Sequence, residues 1–411
     1  MTPAEAAPAL PEGFDLALLE AVAGPIGIAI SGGGDSTALA VLAAEALPRR
    51  RLVLLTVNHG LRADAADDVA AVERLGRRLG LPVVALAARS RPSGSVQAWA
   101  RAERHQLLAE AAQARGLAAV ALGHTLDDQA ETFLLRLARG SGVRGLSAMR
   151  PRAERDGLVL LRPLLGVSRA ALREALRARA VPWREDPSNA DPRFDRTAMR
   201  ALLPRLAAVG LGAERLAATA HHLARASDAV DEAATALVAT AARRDRAGAF
   251  TIVVAAFAAA PREVRLRALG EIVQRAGGGD HPPRFDALAR AEAAVLSGGP
   301  ATTLGRAVVS PRRDVAHVWR EARGIRPLHL SPGEAGVFDG RYRVALATDA
   351  PAVTVDAIGA AAARSLPAAS FREAVATAPG IFRAGTLAAA PTLGMRARDF
   401  ARGWVTLTHV R

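Results

Sequence analysis

Six consecutive residues carry the clearest chemistry in this chain: Ser31-Gly32-Gly33-Gly34-Asp35-Ser36. They follow a short apolar run at 26–30 (IGIAI) and lead straight into a helical pattern at 36–47. Glycines let the backbone turn sharply and aim several N–H groups at one point. The helix behind them adds the positive end of its dipole. Together they form an anion cradle, to which Ser31 and Ser36 add hydroxyl donors. Asp35 is out of place in such a cradle unless a metal or an amine offsets its charge. A Mg²⁺ ion bridging carboxylate and phosphates would do so. A second constellation is Asp128 and Glu131, three residues apart on a helical stretch and therefore on one face. That pair suits Mg²⁺ or a substrate ammonium. Asp127 points to an adjacent direction, where it favours the helix N-terminus. His59 and His124 each follow an apolar run and read as nucleotide contacts. No HExxH spacing points to zinc. Arg62, Arg101, Arg104, Arg139 and Arg144 lie near these segments, and guanidinium is well matched to phosphate.

Strand-like runs at 26–30, 52–57, 83–86 and 119–122 are each followed by a helical pattern, at 36–47, 65–79, 96–115 and 127–139. Strand–helix alternation at this spacing predicts an α/β fold, doubly wound, with a mainly parallel sheet and helices on both faces. Ligands then bind at the carboxyl ends of the strands. The loops after Ile30, Val57 and Leu122 should therefore converge. After Arg162 the alternation fades. A helix with Ser168 as N-cap is expected at 168–180, then a polar loop at 185–195. We expect a catalytic domain at 1–205, a helical connector at 206–245, and a smaller α+β region after it. That region divides into a second, smaller domain at 246–330 and a small or degenerate domain at 331–411.

Composition narrows the chemistry further. The chain has 411 residues, 54 basic residues against 40 acidic ones, and no cysteine. All the basic residues are arginine. Without Cys there is no disulfide, thiolate nucleophile or Cys-held cluster. Without Lys there is no Walker-A phosphate loop and no Schiff-base lysine. No apolar run reaches membrane-spanning length, and no secretory or transit signal is expected. The excess of positive charge suits a polyanion such as nucleic acid. It is concentrated between Arg150 and Arg205, where 13 arginines face 7 acids. Arg193, Arg196 and Arg200 in that stretch would track an RNA backbone or else form solvated helix faces. Trp183 and Phe194 would stack on bases or serve the core.

The glycine loop resembles the SGGxDS loop of the N-type ATP pyrophosphatases, which cleave ATP between its α and β phosphates and activate a carbonyl oxygen as an adenylate. That loop needs no lysine. Zero Cys argues against the glutaminase-bearing and tRNA-thiolating branches of this superfamily. Three further segments resemble the tRNA(Ile)-lysidine synthetase family. They are Val57-Asn58-His59-Gly60-Leu61-Arg62; the stretch from Leu122-Gly123-His124-Thr125 through Asp127-Asp128-Gln129-Ala130-Glu131 to Arg139 and Arg144; and Arg162-Pro163-Leu164-Leu165 with Glu185-Asp186-Pro187-Ser188-Asn189. The likeness covers about residues 24–205. Thr125 replaces a frequent second His, His105 a frequent aromatic, and Thr197 a frequent Asn. The resemblance implies ligation of free L-lysine to C2 of the wobble cytidine of a CAU-anticodon isoleucine tRNA, through an adenylated tRNA. It implies ATP as co-substrate and Mg²⁺, with Asp35 and Asp128 as metal ligands. Asp35, Asp128, Glu131 and Arg104 would be catalytic. The whole glycine loop (Ser31 to Ser36) with His59 and His124 would bind nucleotide. Arg139, Arg144, Arg193, Arg196 and Arg200 would bind RNA, and residues 246–330 would form a tRNA-binding domain. The setting would be cytoplasmic, with no membrane partner, and a homodimer is one admissible assembly. A small-molecule amide synthetase using the same adenylation would not need the basic extension. A non-catalytic nucleotide binder would not need Asp35, Asp128 and Glu131.

Overall fold

A computed structural model of the chain describes residues 9–60, 65–89, 95–155, 157–185, 195–279, 281–366 and 371–410. It divides into two compact units, residues 1–227 and 228–411. The first unit opens with α1 (Leu16–Glu20), then alternates β1 (Ile26–Ala29), α2 (Gly34–Ala46), β2 (Leu52–Asn58), α3 (Ala65–Leu79), β3 (Val83–Ala87), α4 (Val96–Ala114) and β4 (Ala119–Leu122). It continues through α5 (Leu126–Ala138), α6 (Val143–Leu146), β5 (Arg152–Arg155), β6 (Leu158–Leu161), α7 (Arg169–Ala178) and α8 (Asp195–Ala208). The division between the units falls inside α9 (Ala213–Ala241).

The sheet of the first unit has the order β3-β2-β1-β4-β6-β5, parallel except for the antiparallel edge strand β5. Its strands are apolar because both faces are covered. On one face Ile26, Ile28, Leu52 and Leu54 pack with Leu39 and Leu42 of α2, Val72 of α3, and Leu172 and Leu176 of α7. On the other, Leu55, Val120 and Leu160 pack with Leu108, Ala111 and Ala112 of α4. β1 lies between β2 and β4, each aligned with it from Ile26 onward. The chain therefore winds one way from β1 to β3 and the other way into β4. Such a reversal is where a doubly wound sheet places its ligand crevice, beside the loops that leave β1 and β4. The β5–β6 hairpin had no sequence signal we recognised: each strand has four residues, and β5 is mostly exposed.

In the second unit, β7 (Ala242–Arg244), β8 (Phe250–Val253), β9 (Thr302–Leu304), β10 (Ala307–Arg312) and β11 (Val315–Arg320) form an antiparallel sheet of order β7-β8-β11-β10-β9. Between β8 and β9 run α10 (Val254–Ala258), α11 (Arg262–Gly277) and α12 (Phe285–Ser297). Leu269, Ile272 and Val273 of α11 close the core over Ile252, Val309 and Val318. The remainder holds β12 (Leu328–Leu330), β13 (Ala335–Phe338), β14 (Tyr342–Leu346), β15 (Val353–Ala357), α13 (Ala360–Ser365), α14 (Arg372–Thr377), β16 (Pro379–Arg383), β17 (Thr386–Ala390), β18 (Met395–Arg396) and β19 (Val405–His409). They make two small sheets, β12-β15-β16-β17-β18 and β13-β14-β19, around Phe338, Tyr342, Val355 and Ile381. No helix among the described residues is long and apolar enough to cross a membrane.

Candidate active site

The glycine loop is tighter than its pattern suggested, because α2 begins at Gly34 rather than at Ser36. Gly32 takes a left-handed φ of +82°, which favours glycine, and Gly33 is the extended N-cap. Asp35 and Ser36 thus sit in the first helical turn, whose N–H groups have no intrahelical acceptor. No side chain caps Gly33, so these donors stay available to an anion. Ser36 ties the loop shut: its Oγ accepts from the Ser31 N–H at 3.1 Å and donates to the Gly33 carbonyl at 3.2 Å. The two hydroxyls are 3.2 Å apart. A side chain at Gly123, at the end of β4, would put its Cβ 3.0 Å from the Ser36 backbone. Glycine there lets the two strand ends close on each other.

A second chain segment clasps the loop from outside. The Arg184 N–H donates to the Gly32 carbonyl at 3.0 Å, and Arg184 forms a bridge with Gly33. Trp183 packs beside Gly34, where a Cβ would lie 3.3 Å from its Cδ1. Its Nε1–H donates to Glu185 at 2.9 Å. Next to this clasp is a cavity of about 570 Å³, lined among others by Ile30, Gly32, Val72, Leu75 and Trp183, within the size range of small-molecule sites.

The acidic residues meet on one guanidinium. Arg169, the first residue of α7, donates from Nε to Asp35 at 3.3 Å, from Nη2 to Asp128 at 2.5 Å and from Nη1 to Glu131 at 2.7 Å. Its backbone N–H donates to Asp127 Oδ2 at 2.8 Å. Asp127 therefore serves the start of α7, not only that of its own helix. Thr125 is the N-cap of α5 and forms a capping box with Asp128. This anchors Asp128 at 2.9 Å from the Thr125 N–H and 3.0 Å from its hydroxyl. Glu131 is fully buried, accepts from Arg169 and from Arg200 Nε at 2.9 Å, and keeps Oε2 without a hydrogen-bond partner. Burial raises the Asp35 pKa, opposed by Arg169 and reinforced by the neighbouring charge of Asp128. Burial also pushes Asp128 upward, but Arg169 and the Thr125 hydrogen bonds outweigh it and leave its pKa lowered. Arg169, despite burial, is held above its ordinary pKa by Asp128, Glu131 and Asp35.

The histidines lie on the basic side of the same crevice. Burial, and then the charges of Arg162, Arg196 and Arg101, lower the His124 pKa to about 4 against the opposing pull of Asp128. Burial and Arg104 lower that of His59. Both rings are neutral near pH 7. Both nitrogens of His59 and Nδ1 of His124 are buried without a hydrogen-bond partner, which leaves polar capacity for a ligand. Arg104 is crowded by protein yet open to solvent, and the crowding lowers its pKa. Electrostatic contacts thus link Asp35, Arg169, Asp128, His124, Arg101, Arg104 and His59 into one series.

The matched family model is a PP-loop domain over residues 14–206. The tRNA(Ile)-lysidine synthase of Ruegeria pomeroyi is 39% identical over 390 residues, covering 92% of this chain and 90% of the relative. The synthase of a Bradyrhizobium strain is 39% identical, covering 72% of this chain and 89% of the relative. That of Bradyrhizobium diazoefficiens is 45% identical, covering 61% of this chain and 72% of the relative. The chain belongs to the tRNA(Ile)-lysidine synthase family.

Within this lysidine synthase scaffold, the remaining residues singled out from sequence fall in several places. Arg200 spends its Nε on Glu131, with 40% of its side chain still exposed. Arg139 forms an exposed ion pair with Asp195 at 3.1 Å. Arg144 is exposed on α6, and Arg196, partly buried on α8, faces Arg101 and His124. Arg62, Arg193 and Phe194 lie outside the described residues. Arg169 escaped the sequence reading. Its only local signal was its position after the N-cap Ser168, while its partner Asp35 is 134 residues away. As possible holders of Mg²⁺, Asp35 and Asp128 have the right donor chemistry, because this ion takes hard oxygen ligands. Asp35 is 29% exposed, so one of these carboxylates is open to an incoming ion. Among the described residues no group of three His, Cys, Asp or Glu is arranged as a metal cluster.

Proposed function

We propose that this ATP-dependent ligase joins free L-lysine to C2 of the wobble cytidine of a CAU-anticodon isoleucine tRNA. The observation that carries the reading is the juxtaposition, at the sheet's reversal point, of an anion cradle with three carboxylates gathered on Arg169. The open N–H groups of α2 hold the departing phosphates of ATP, with Ser36 keeping the loop shut. The cytidine C2 oxygen attacks the α-phosphorus, the bond to the β-phosphate oxygen breaks, and pyrophosphate leaves. The ε-amine of lysine then attacks C2, its proton is lost, and the C2–O bond breaks to release AMP. Asp35 and Asp128 would hold Mg²⁺, which would supply positive charge to the phosphates when bound. The unused Oε2 of Glu131 supports a role in accepting from the lysine ammonium. Arg104 and the neutral His59 and His124 line the nucleotide side. Arg139, Arg144, Arg193, Arg196 and Arg200 supply RNA contacts, and such a substrate belongs to the cytoplasm.

The test is direct. Purified protein is incubated with ATP, Mg²⁺, radiolabelled lysine and the CAU-anticodon isoleucine tRNA. Label should enter the tRNA with one AMP per lysine. Absence of label here, together with incorporation of another amine or into another acceptor, overturns the reading.

A further inference from the structure

The second unit holds a half-buried guanidinium with no ion-pair partner among the described residues. Arg244, at the end of the edge strand β7, lies opposite Phe250 in the ladder, with its guanidinium carbon 5.4 Å from the ring centroid. It forms no hydrogen bond or ion pair with any described residue, and its Nε is buried without a partner. Arg275 of α11 lies over the same ring, also at 5.4 Å. It pairs with Glu271 at 3.1 Å, yet its Nε too is buried and unpartnered. Exposed His409, with its ring 4.8 Å from that of the fully buried Tyr342, borders this cluster. Crowding by protein, and then Arg244, Arg275 and Arg341, lower the His409 pKa to about 4. Arg341 is already committed to Asp339 and to the Thr377 carbonyl. Of the nearby acids, Asp245 favours the Arg244 charge through space but makes no ion pair with it and accepts from the Ala249 N–H in its own turn, and Glu271 serves Arg275.

Two like charges on one aromatic ring repel each other, and a guanidinium with unused donors in a half-buried place is costly unless an anion completes it. Planar forked donors favour phosphate oxygens. The same strand and turn expose Arg243 and Arg246 on either side of Arg244, so positive charge runs along the sheet edge. A row of charges fits a chain of phosphates better than a single one. We propose that Arg244 and Arg275, with His409 at the rim, form a subsite for a backbone phosphate of RNA in the second unit. This rests on the proposed tRNA substrate.

The experiment measures binding of the CAU-anticodon isoleucine tRNA to the full-length protein by fluorescence anisotropy, from 0.05 to about 0.3 M salt. Removing one phosphate contact by Arg244→Gln should weaken binding about eightfold at 0.1 M salt and flatten the log–log salt slope by about 0.9. Arg244→Lys should keep the slope. Arg275→Gln should act in the same direction, which guards against a folding defect in the first variant. Unchanged affinity and slope in both glutamine variants overturn the inference, even if the wild type makes lysidine. Calorimetry with inorganic phosphate forms the second arm. Phosphate binding lost in Arg244→Gln, with tRNA binding intact, would mean a small-molecule phosphate site and would also overturn it. A wild type that binds no tRNA overturns both this inference and the reading on which it rests.

Discussion

Each unit of this protein contains a buried knot of arginine and carboxylate, and the two are built in opposite ways. In the first unit, three acids surround Arg169, whose side chain is 14% exposed. In the second, three arginines surround Asp339, which is 1% exposed. Arg320 donates to it at 2.9 and 3.0 Å, Arg341 at 2.8 Å, and Arg306 bonds it too. The spare donors of Arg320 reach the carbonyls of Glu321 and Arg323, and Arg341 reaches that of Thr377. The Asp339 knot is saturated, and a saturated buried network specifies structure. The Arg169 knot keeps one unused oxygen on Glu131 and a partly open Asp35. Unsatisfied polar atoms beside an anion cradle are what the proposed site, completed by its ligands, would leave in the free protein.

Paired substitutions would sharpen or break this contrast. The largest effect belongs to Asp339→Asn, which leaves two buried guanidiniums, Arg320 and Arg341, under-compensated and should cost about 3–5 kcal/mol of stability. Denaturant unfolding would show the loss, while turnover per folded molecule stays near wild type. Asp35→Asn should do the reverse, lowering AMP formation on the order of 10²–10³-fold with tRNA binding intact. Because the folded pKa of Asp35 is raised, its charge opposes folding above that pKa, and the penalty disappears as pH falls below the unfolded value of 3.8. The Asn variant should therefore be at least as stable as wild type at neutral pH; a large loss of stability would place Asp35 with Asp339. His124 gives a smaller, pH-gated effect. Its folded pKa of about 4 lies below the ordinary imidazole value of 6.5, so the unfolded chain takes up the proton first. Stability should be full above pH 6.5 and should fall as pH drops toward 4, and His124→Gln should flatten that stretch of the pH–stability curve. Arg196→Ala should weaken tRNA binding and reduce its salt slope by about 0.9; an unchanged slope would assign Arg196 to the fold. The smallest change is Arg139→Ala, whose exposed ion pair is worth about 0.5 kcal/mol or less.

The catalytic sheet was legible because its signals are local. Apolar runs between helical patterns specify β1 to β4 within one or two residues, and Ser168 caps its helix by accepting from the Ala171 N–H at 3.2 Å. The two β5–β6 strands were not legible, since four residues on a half-exposed edge carry little periodicity. The C-terminal strands hid for a related reason: several are short, and their cores come from residues far apart in sequence.

The residue types alone determined that phosphate is held without lysine and that no step uses a thiol, since the chain has neither residue to offer. They also determined the glycine loop and its order between strand and helix. Only the tertiary structure decided what Asp35, Asp128 and Glu131 share. They are brought together by a guanidinium that begins a helix 134 residues after Asp35, and long-range convergence of charge leaves no trace in local spacing. The same holds for the backbone of Arg184 clasping Gly32 and for Arg244, unpaired among the described residues: each is defined by which partner the fold supplies or withholds.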